Sequence, residues 1–257
     1  MPAFKITPSQ QKKILDKLHA DKGDFNGTYD LLVYAKRDYV EKNFELYLPV
    51  NPKRLGSGTK GVAYETMEHD KVLKLTVDKS EANASKLLVG KSPKTINDIY
   101  ASFLVKETSV YGIYQKRLKP ITNSEMVDIF YWVVGSCKPA IDGPVPLKEI
   151  PNIISDVKES SDDSDRNWSL KDISKITSWY IECRLELRKF GIHDYNDFSM
   201  TDEGKGNIML DENNNFKLID LGYSKSKVAK IDLVENMNIN RLLNIVLQGG
   251  PTNENTN

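Results

Sequence analysis

The chain has 257 residues, 39% hydrophobic and 28% charged, enough for one sizeable core or two small lobes of a globular protein and too apolar for a disordered tail. Lysine plus arginine equals aspartate plus glutamate at 36 each, so net charge gives no reason to expect nucleic-acid binding. Cys137 and Cys183 lie far apart without metal-ligand spacing, no apolar run approaches the ~18 residues of a membrane span, and the N-terminus has no apolar signal core; the expectation is a cytoplasmic protein with no membrane partner.

Residues 8–20 place Ile14, Leu15 and Leu18 at helical spacing behind Pro8. Two glycines between Asp21 and Gly27 break the pattern, and a second helix is predicted from Thr28 to about Lys42. Residues 1–47 therefore read as a helical extension that braces the body. From Leu46 the character changes to strands and turns. Arg54 to Tyr64 contains Gly56-Ser57-Gly58-Thr59-Lys60-Gly61, a G-x-G-x-x-G run followed by the β-prone segment Val62 to Met67. A strand there excludes the dinucleotide-binding arrangement, which needs a helix directly after the glycines. Glycines lacking a Cβ let backbone N–H groups approach phosphate oxygens.

The next predicted strand, Lys71 to Val77, alternates Leu73, Leu75 and Val77 with Val72, Lys74 and Thr76, so Lys74 shares a face with an apolar neighbour. Asp78-Lys79-Ser80-Glu81 opens a helix. The Asp78/Glu81 spacing is that of a capping box, and Glu81 reads as the cap's reciprocal partner and as a carboxylate available to Lys74, two roles that do not exclude each other. Asp98 to Val105 and Tyr111 to Gln115 complete a predicted five-stranded antiparallel sheet. An extended linker, Lys116 to Pro120, leads to a helix from Ser124 to Val134. Residues 136–168 carry four prolines between Lys138 and Pro151 and then a polar, acidic run, which predict a surface loop. A long helix from Leu170 to Phe190 follows, with Ile173, Ile176, Trp179, Tyr180, Cys183 and Leu187 at helical intervals and Gly191 ending it.

Gly206 to Gly222 is the most informative stretch. Ile208 to Leu210 and Phe216 to Ile219 flank an Asp-Glu-Asn-Asn-Asn turn, which predicts a tight hairpin. Asn207 stands just before the first strand and Asp220 just after the second, so the hairpin brings both oxygen donors to one end. Such a pair suits Mg²⁺, a hard cation that keeps several waters and shares phosphate oxygens with a nucleotide.

The glycine run, Lys74, Asn207 and Asp220-Leu221-Gly222, in this order, resemble the protein-kinase superfamily, and in particular the compact serine/threonine protein kinases encoded by bacteriophages, over roughly residues 50–225. The resemblance implies an α+β, two-lobed protein-kinase-like fold. It would have an N-terminal antiparallel sheet lobe at 48–118 and a reduced helical C-lobe at 119–257, the latter carrying a polar insertion at about 136–168. It implies ATP held by Leu55, Gly56, Gly58, Gly61, Ala63, Val72, Lys74 and Met209, with backbone groups around Lys116 and Leu118 on the adenine edge. Glu81 would pair with Lys74, and Asn207 and Asp220 would hold Mg²⁺. The implied reaction moves the γ-phosphate to Ser or Thr hydroxyls of a protein substrate, in the host cytoplasm if the chain is phage-encoded.

The catalytic aspartate is open between two positions. Asp202 stands five residues before Asn207, as the family pattern asks. Asp197 is followed by an apolar residue and lies soon after the Gly191-Ile192 helix end, and it is preferred because Phe198 would anchor it. Asp194 is a third candidate, and His193 reads as a loop residue. No Ala-Pro-Glu motif follows Gly222, so substrate docking is expected to differ from that of large kinases, without control by activation-loop phosphorylation. Two other functions fit the same residues: a small-molecule phosphotransferase of the aminoglycoside-kinase type, and a catalytically inactive kinase-like binding module.

Overall fold

The computed structural model describes residues 46, 48–49, 51–58, 60–105, 110–142, 150–163, 166, 168–192, 198, 200 and 206–222. The helices predicted at 8–20 and 28–42 lie outside these residues, as do His193, Asp194, Asp197 and Asp202. The chain is α+β and divides into two compact units. One holds the described residues up to Pro93 with Asn97–Arg117 and 221–222; the other holds Lys94–Ile96 and Leu118–Asp220.

The first unit is a five-stranded antiparallel sheet built from β1 (Arg54–Ser57), β2 (Gly61–Glu65), β3 (Lys71–Thr76), β4 (Ile99–Leu104) and β5 (Tyr111–Lys116), in the order β1-β2-β3-β5-β4. Helix α1 (Lys79–Leu88) lies between β3 and β4 in sequence, which is the element order that the kinase resemblance implies. The alternation read from the sequence sorts the two faces. Val62, Tyr64, Leu73, Leu75 and Phe103 form an apolar cluster with Leu46 and Leu48 on one side. On the other side a single row of paired positions crosses all five strands: Gly56, Ala63, Lys74, Ile113 and Ser102. Helix α1 packs on this face at β3, β5 and β4, where the Ser102 hydroxyl donates to the Ala82 carbonyl at 2.8 Å.

Helix α1 begins where it does because Asp78 caps it. Its carboxylate accepts from the Ser80 amide at 2.8 Å and the Glu81 amide at 3.4 Å, two of the donors that a helix start leaves unpaired. Asp78's own amide donates to Thr76 Oγ1 at 3.0 Å, the group that a reciprocal glutamate would otherwise take.

The second unit contains α2 (Ser124–Asp142), α3 (Ile150–Asp163), α4 (Leu170–Lys189) and a three-stranded sheet of β6 (Lys119–Pro120), β7 (Ile208–Leu210) and β8 (Phe216–Leu218), in the order β6-β7-β8. Phe130 of α2, Trp179 and Tyr180 of α4, Phe198 and Phe216 of β8 meet edge to face at centroid separations of 4.7 to 6.3 Å, the arrangement that aromatic quadrupoles favour. Trp179 Nε1 donates to the Phe216 carbonyl at 2.8 Å, which fastens the hairpin to α4. Gly191 ends α4 at φ +79°, and Ile192 N–H reaches back to the Leu187 carbonyl at 2.8 Å, closing the helix with a left-handed residue that glycine adopts at least cost. The segment Lys94–Ile96 joins this unit through Glu186, whose carboxylate accepts both the Lys94 and Thr95 amides at 2.7 Å.

One element departs from the sequence reading. Within 136–168, expected as a polar loop, α2 runs on to Asp142 and α3 occupies Ile150–Asp163. Ile150, Ile154, Val157 and Ser161 fall on one stripe and are all buried, while Asp156, Glu159 and Asp162 are exposed. Pro151 sits in the first turn, where a missing N–H breaks no helical bond. The apolar stripe was present in the sequence, but prolines and acidic residues outweighed it.

The hairpin turn is organised by Asp211, buried although polar. Its Oδ1 accepts from the amides of Asn213 at 2.9 Å and Asn215 at 2.8 Å, and Asn214 takes φ +60°. Burial pushes the Asp211 carboxyl up, but the Asn215 and Asn213 donors outweigh it and hold it below the ordinary carboxylate range. A depressed folded pKa contributes stability above the unfolded value of about 4, and that contribution is lost as pH falls through the folded value. Asp211→Ala is expected to cost about 1–3 kcal/mol in urea unfolding at pH 7. The gap from wild type should narrow progressively in titrations below about pH 4.

Candidate functional site

In the first unit the candidate residues gather around that row of the sheet. Lys74 stands at the middle of β3, opposite Ala63 on one side and Ile113 on the other. Its ammonium lies 2.5 Å from Glu81 Oε1, and the two side chains are 15% and 4% exposed. Glu81 is at the third position of α1, so the helix that caps on Asp78 delivers this carboxylate to the sheet lysine. Of the two readings open for Glu81, the lysine pair is the contact observed, and Thr76 serves the Asp78 amide instead. An ion pair this deep has little water to screen it, and removing either partner would strand the other.

The glycine run forms the turn from β1 to β2. Gly58 N–H donates to the Gly61 carbonyl at 2.9 Å. A Cβ at Gly61 would lie 2.8 Å from the Leu75 carbonyl oxygen and 3.3 Å from Lys74 Cε, so only glycine fits there. Gly56 and Gly58 have open space where a Cβ would be. Val72 and Ala63 share the face of Lys74, and Leu55 is the half-buried extra residue of a bulge between Arg54 and Gly56.

The backbone of the linker is held at three points. The Lys116 amide donates to the Asp98 carbonyl at 3.0 Å, its carbonyl accepts from Asn97 Nδ2 at 2.9 Å, and the Arg117 amide donates to the Asp70 carbonyl at 2.7 Å. The amide of Lys116 is thus paired within the sheet unit, while its carbonyl accepts one bond and keeps a second lone pair. Leu118 carries the next amide along the chain. Asn97 holds this linker from a distance in sequence that no local pattern reveals.

In the second unit the hairpin sets the oxygen donors. Ile208 pairs with Leu218 and Met209 with both Lys217 and Pro120. One further rung, Ile219 N–H to the Asn207 carbonyl at 2.8 Å, extends the ladder to Asn207, with Asp220 the next residue after that rung. Both are half-buried. Among the described residues there is no group of three or more His, Cys, Asp or Glu that could hold a metal ion. An amide oxygen and a carboxylate at one hairpin end nonetheless fit Mg²⁺, which needs one or two protein oxygens when phosphates and water supply the rest. Among the described residues no helix is long and apolar enough to cross a membrane. Cys137 and Cys183 are buried, and burial pushes both thiols up to about 12, as suits core residues with no reactive role.

No protein-family model and no curated protein matches the chain. Among solved structures, similarity is found to aminoglycoside phosphotransferase APH(4)-Ia at a TM-score of 0.36 and 11% identity, covering 73% of this chain and 71% of that one. An apo thermostable mutant of the same enzyme gives 0.34 and 12%, covering 72% and 70%. A thermostable form in ternary complex with ADP and hygromycin B gives 0.34 and 12%, covering 71% and 68%. A backbone likeness at that level says nothing of chemistry, so reaction and substrate have to come from this chain's own side chains.

The space around the glycines makes a graded outcome. Gly61→Ala should destabilise the sheet unit by about 1–3 kcal/mol through overpacking against the Leu75 carbonyl. Gly56→Ala and Gly58→Ala should stay within about 0.5 kcal/mol of wild type. Chemical denaturation of the three variants checks the order.

Proposed function

We propose that the chain is an ATP-dependent phosphotransferase that moves the γ-phosphate to Ser or Thr hydroxyls of a protein substrate, a reading in keeping with a phage-encoded kinase acting on host proteins. The observation that carries it is the Lys74–Glu81 pair at 2.5 Å behind a glycine turn that tolerates no side chain at Gly61. A structural lysine would be cheaper as an apolar residue, since taking two charges out of water often costs more than their attraction returns. Holding a cation there has a purpose if it meets anionic oxygens.

In this reading Lys74 contacts the α- and β-phosphates and the turn amides face phosphate oxygens. Leu55, Ala63, Val72 and Met209 supply apolar contacts to the base, and backbone groups of Lys116 and Leu118 face the adenine edge. Asn207 and Asp220 would hold Mg²⁺, which when bound offsets charge on the phosphates. An aspartate orients the acceptor hydroxyl and takes its proton. Support for Asp197 in that role comes from its neighbour Phe198, which is 8% exposed and packs on Trp179 and Tyr180, with the Arg184 guanidinium 5.7 Å from its ring. Asp202 remains the rival on its spacing to Asn207.

Labelled ATP tests this directly. Lys74→Arg keeps a cation opposite Glu81 but replaces a point charge with a planar fork. Phosphoryl transfer should fall at least about 100-fold in it and in Asp220→Ala, with circular dichroism unchanged. Wild-type rates from either variant would overturn the assignment. Asp197→Asn should lower kcat by about 10²–10⁴ and Asp202→Asn by less than tenfold; the reverse order would give the role to Asp202. The assay should offer mixed proteins beside aminoglycosides and other small alcohols. Label only in the small molecules would replace the protein acceptor, and Mg²⁺-dependent ATP binding without transfer would indicate an inactive binding module.

A further inference from the structure

Lys60, between the second and third glycines of the run, was not among the residues that the sequence singled out, yet it is held at three points. Its carbonyl accepts from the Val77 amide at 2.9 Å and from Thr76 Oγ1 at 3.2 Å. Its ammonium lies 2.7 Å from Asp78 Oδ2. The other oxygen of the same carboxylate, Oδ1, accepts from the Ser80 hydroxyl at 2.6 Å, the Ser80 amide at 2.8 Å and the Glu81 amide at 3.4 Å. One carboxylate, 9% exposed, therefore joins the glycine turn to the start of the helix that presents Glu81 to Lys74.

We infer that Lys60 and Asp78 are positioning residues that latch the glycine-rich turn to the first turn of α1 and so set nucleotide affinity, an inference that rests on the nucleotide reading above. The physical reason is entropic. A turn with three glycines in six residues has much conformational freedom to lose when it closes on a phosphate. Anchoring its one long side chain and its carbonyl beforehand removes part of that cost from the binding step. The Lys60 side chain is 44% exposed, and an ion pair open to water at one end adds little to global stability, so its effect should be local.

The test separates the latch from the cap. Lys60→Met removes the ammonium, Lys60→Arg keeps it, and Asp78→Asn keeps an N-cap acceptor while removing the charge. Binding of Mg²⁺ with a non-hydrolysable ATP analogue should weaken about 3- to 10-fold in Lys60→Met and in Asp78→Asn. The double variant should be no weaker than either single one, and Lys60→Arg should restore affinity. In the labelled-ATP assay KM for ATP should rise by the same factor with kcat within about twofold of wild type, a split that a merely structural defect would not give. Amide hydrogen exchange across residues 56–62 should quicken in Lys60→Met without nucleotide. If wild type binds the analogue and Lys60→Met binds equally well, the latch is overturned and the nucleotide reading stands. If wild type does not bind it, the nucleotide reading fails and the affinity role fails with it.

Discussion

A lysine ammonium on the covered face of a sheet has to be met by a carboxylate, and the first unit is arranged to supply one. Glu81 can reach Lys74 because Asp78, two residues past the end of β3, caps α1, which packs on β3, β5 and β4. The cap, the helix position and the close fit of Gly61 against Leu75 and Lys74 are parts of one constraint. An uncompensated charge in that place would cost about 3–5 kcal/mol, as much as a large cavity in the core.

The second unit solves a different problem, that of holding two small oxygen donors at the end of a short hairpin. Strands of three residues are weak by themselves. The turn is therefore stiffened from inside by Asp211, and its outer strand is fastened to α4 by the Trp179 hydrogen bond and the aromatic cluster. Leu218 is gripped as well, through its amide to the Thr95 carbonyl at 2.8 Å, while Thr95 is itself held by Glu186. The hairpin end that carries Asn207 and Asp220 is thus held by side chains distant from them in sequence.

Much of this was legible beforehand, residue by residue. The strict alternation of Leu73, Lys74 and Leu75 assigned Lys74 to the face opposite the apolar cluster, and the polar turn between Leu210 and Phe216 placed the hairpin. Helix α3 was misread because its stripe of Ile150, Ile154 and Val157 is interrupted by acidic residues and preceded by prolines, so local polarity masked a period that only packing reveals. The commitment of the Lys116 amide was not legible either, since its partner carbonyl at Asp98 and the side chain of Asn97 come from a segment that the fold brings alongside.

The sequence by itself determined the strands, their faces, the hairpin and the identity of the ionisable groups, because two-residue alternation, glycine runs and turn residues act through neighbours along the chain. Tertiary structure alone decided which of those groups meet. Whether Glu81 closed a capping box or turned to Lys74 depended on Thr76 taking the Asp78 amide, and whether Lys60 stood in solvent or on Asp78 depended on a turn folding back over β3. Contacts of this kind join residues up to 18 positions apart, and no local periodicity encodes them.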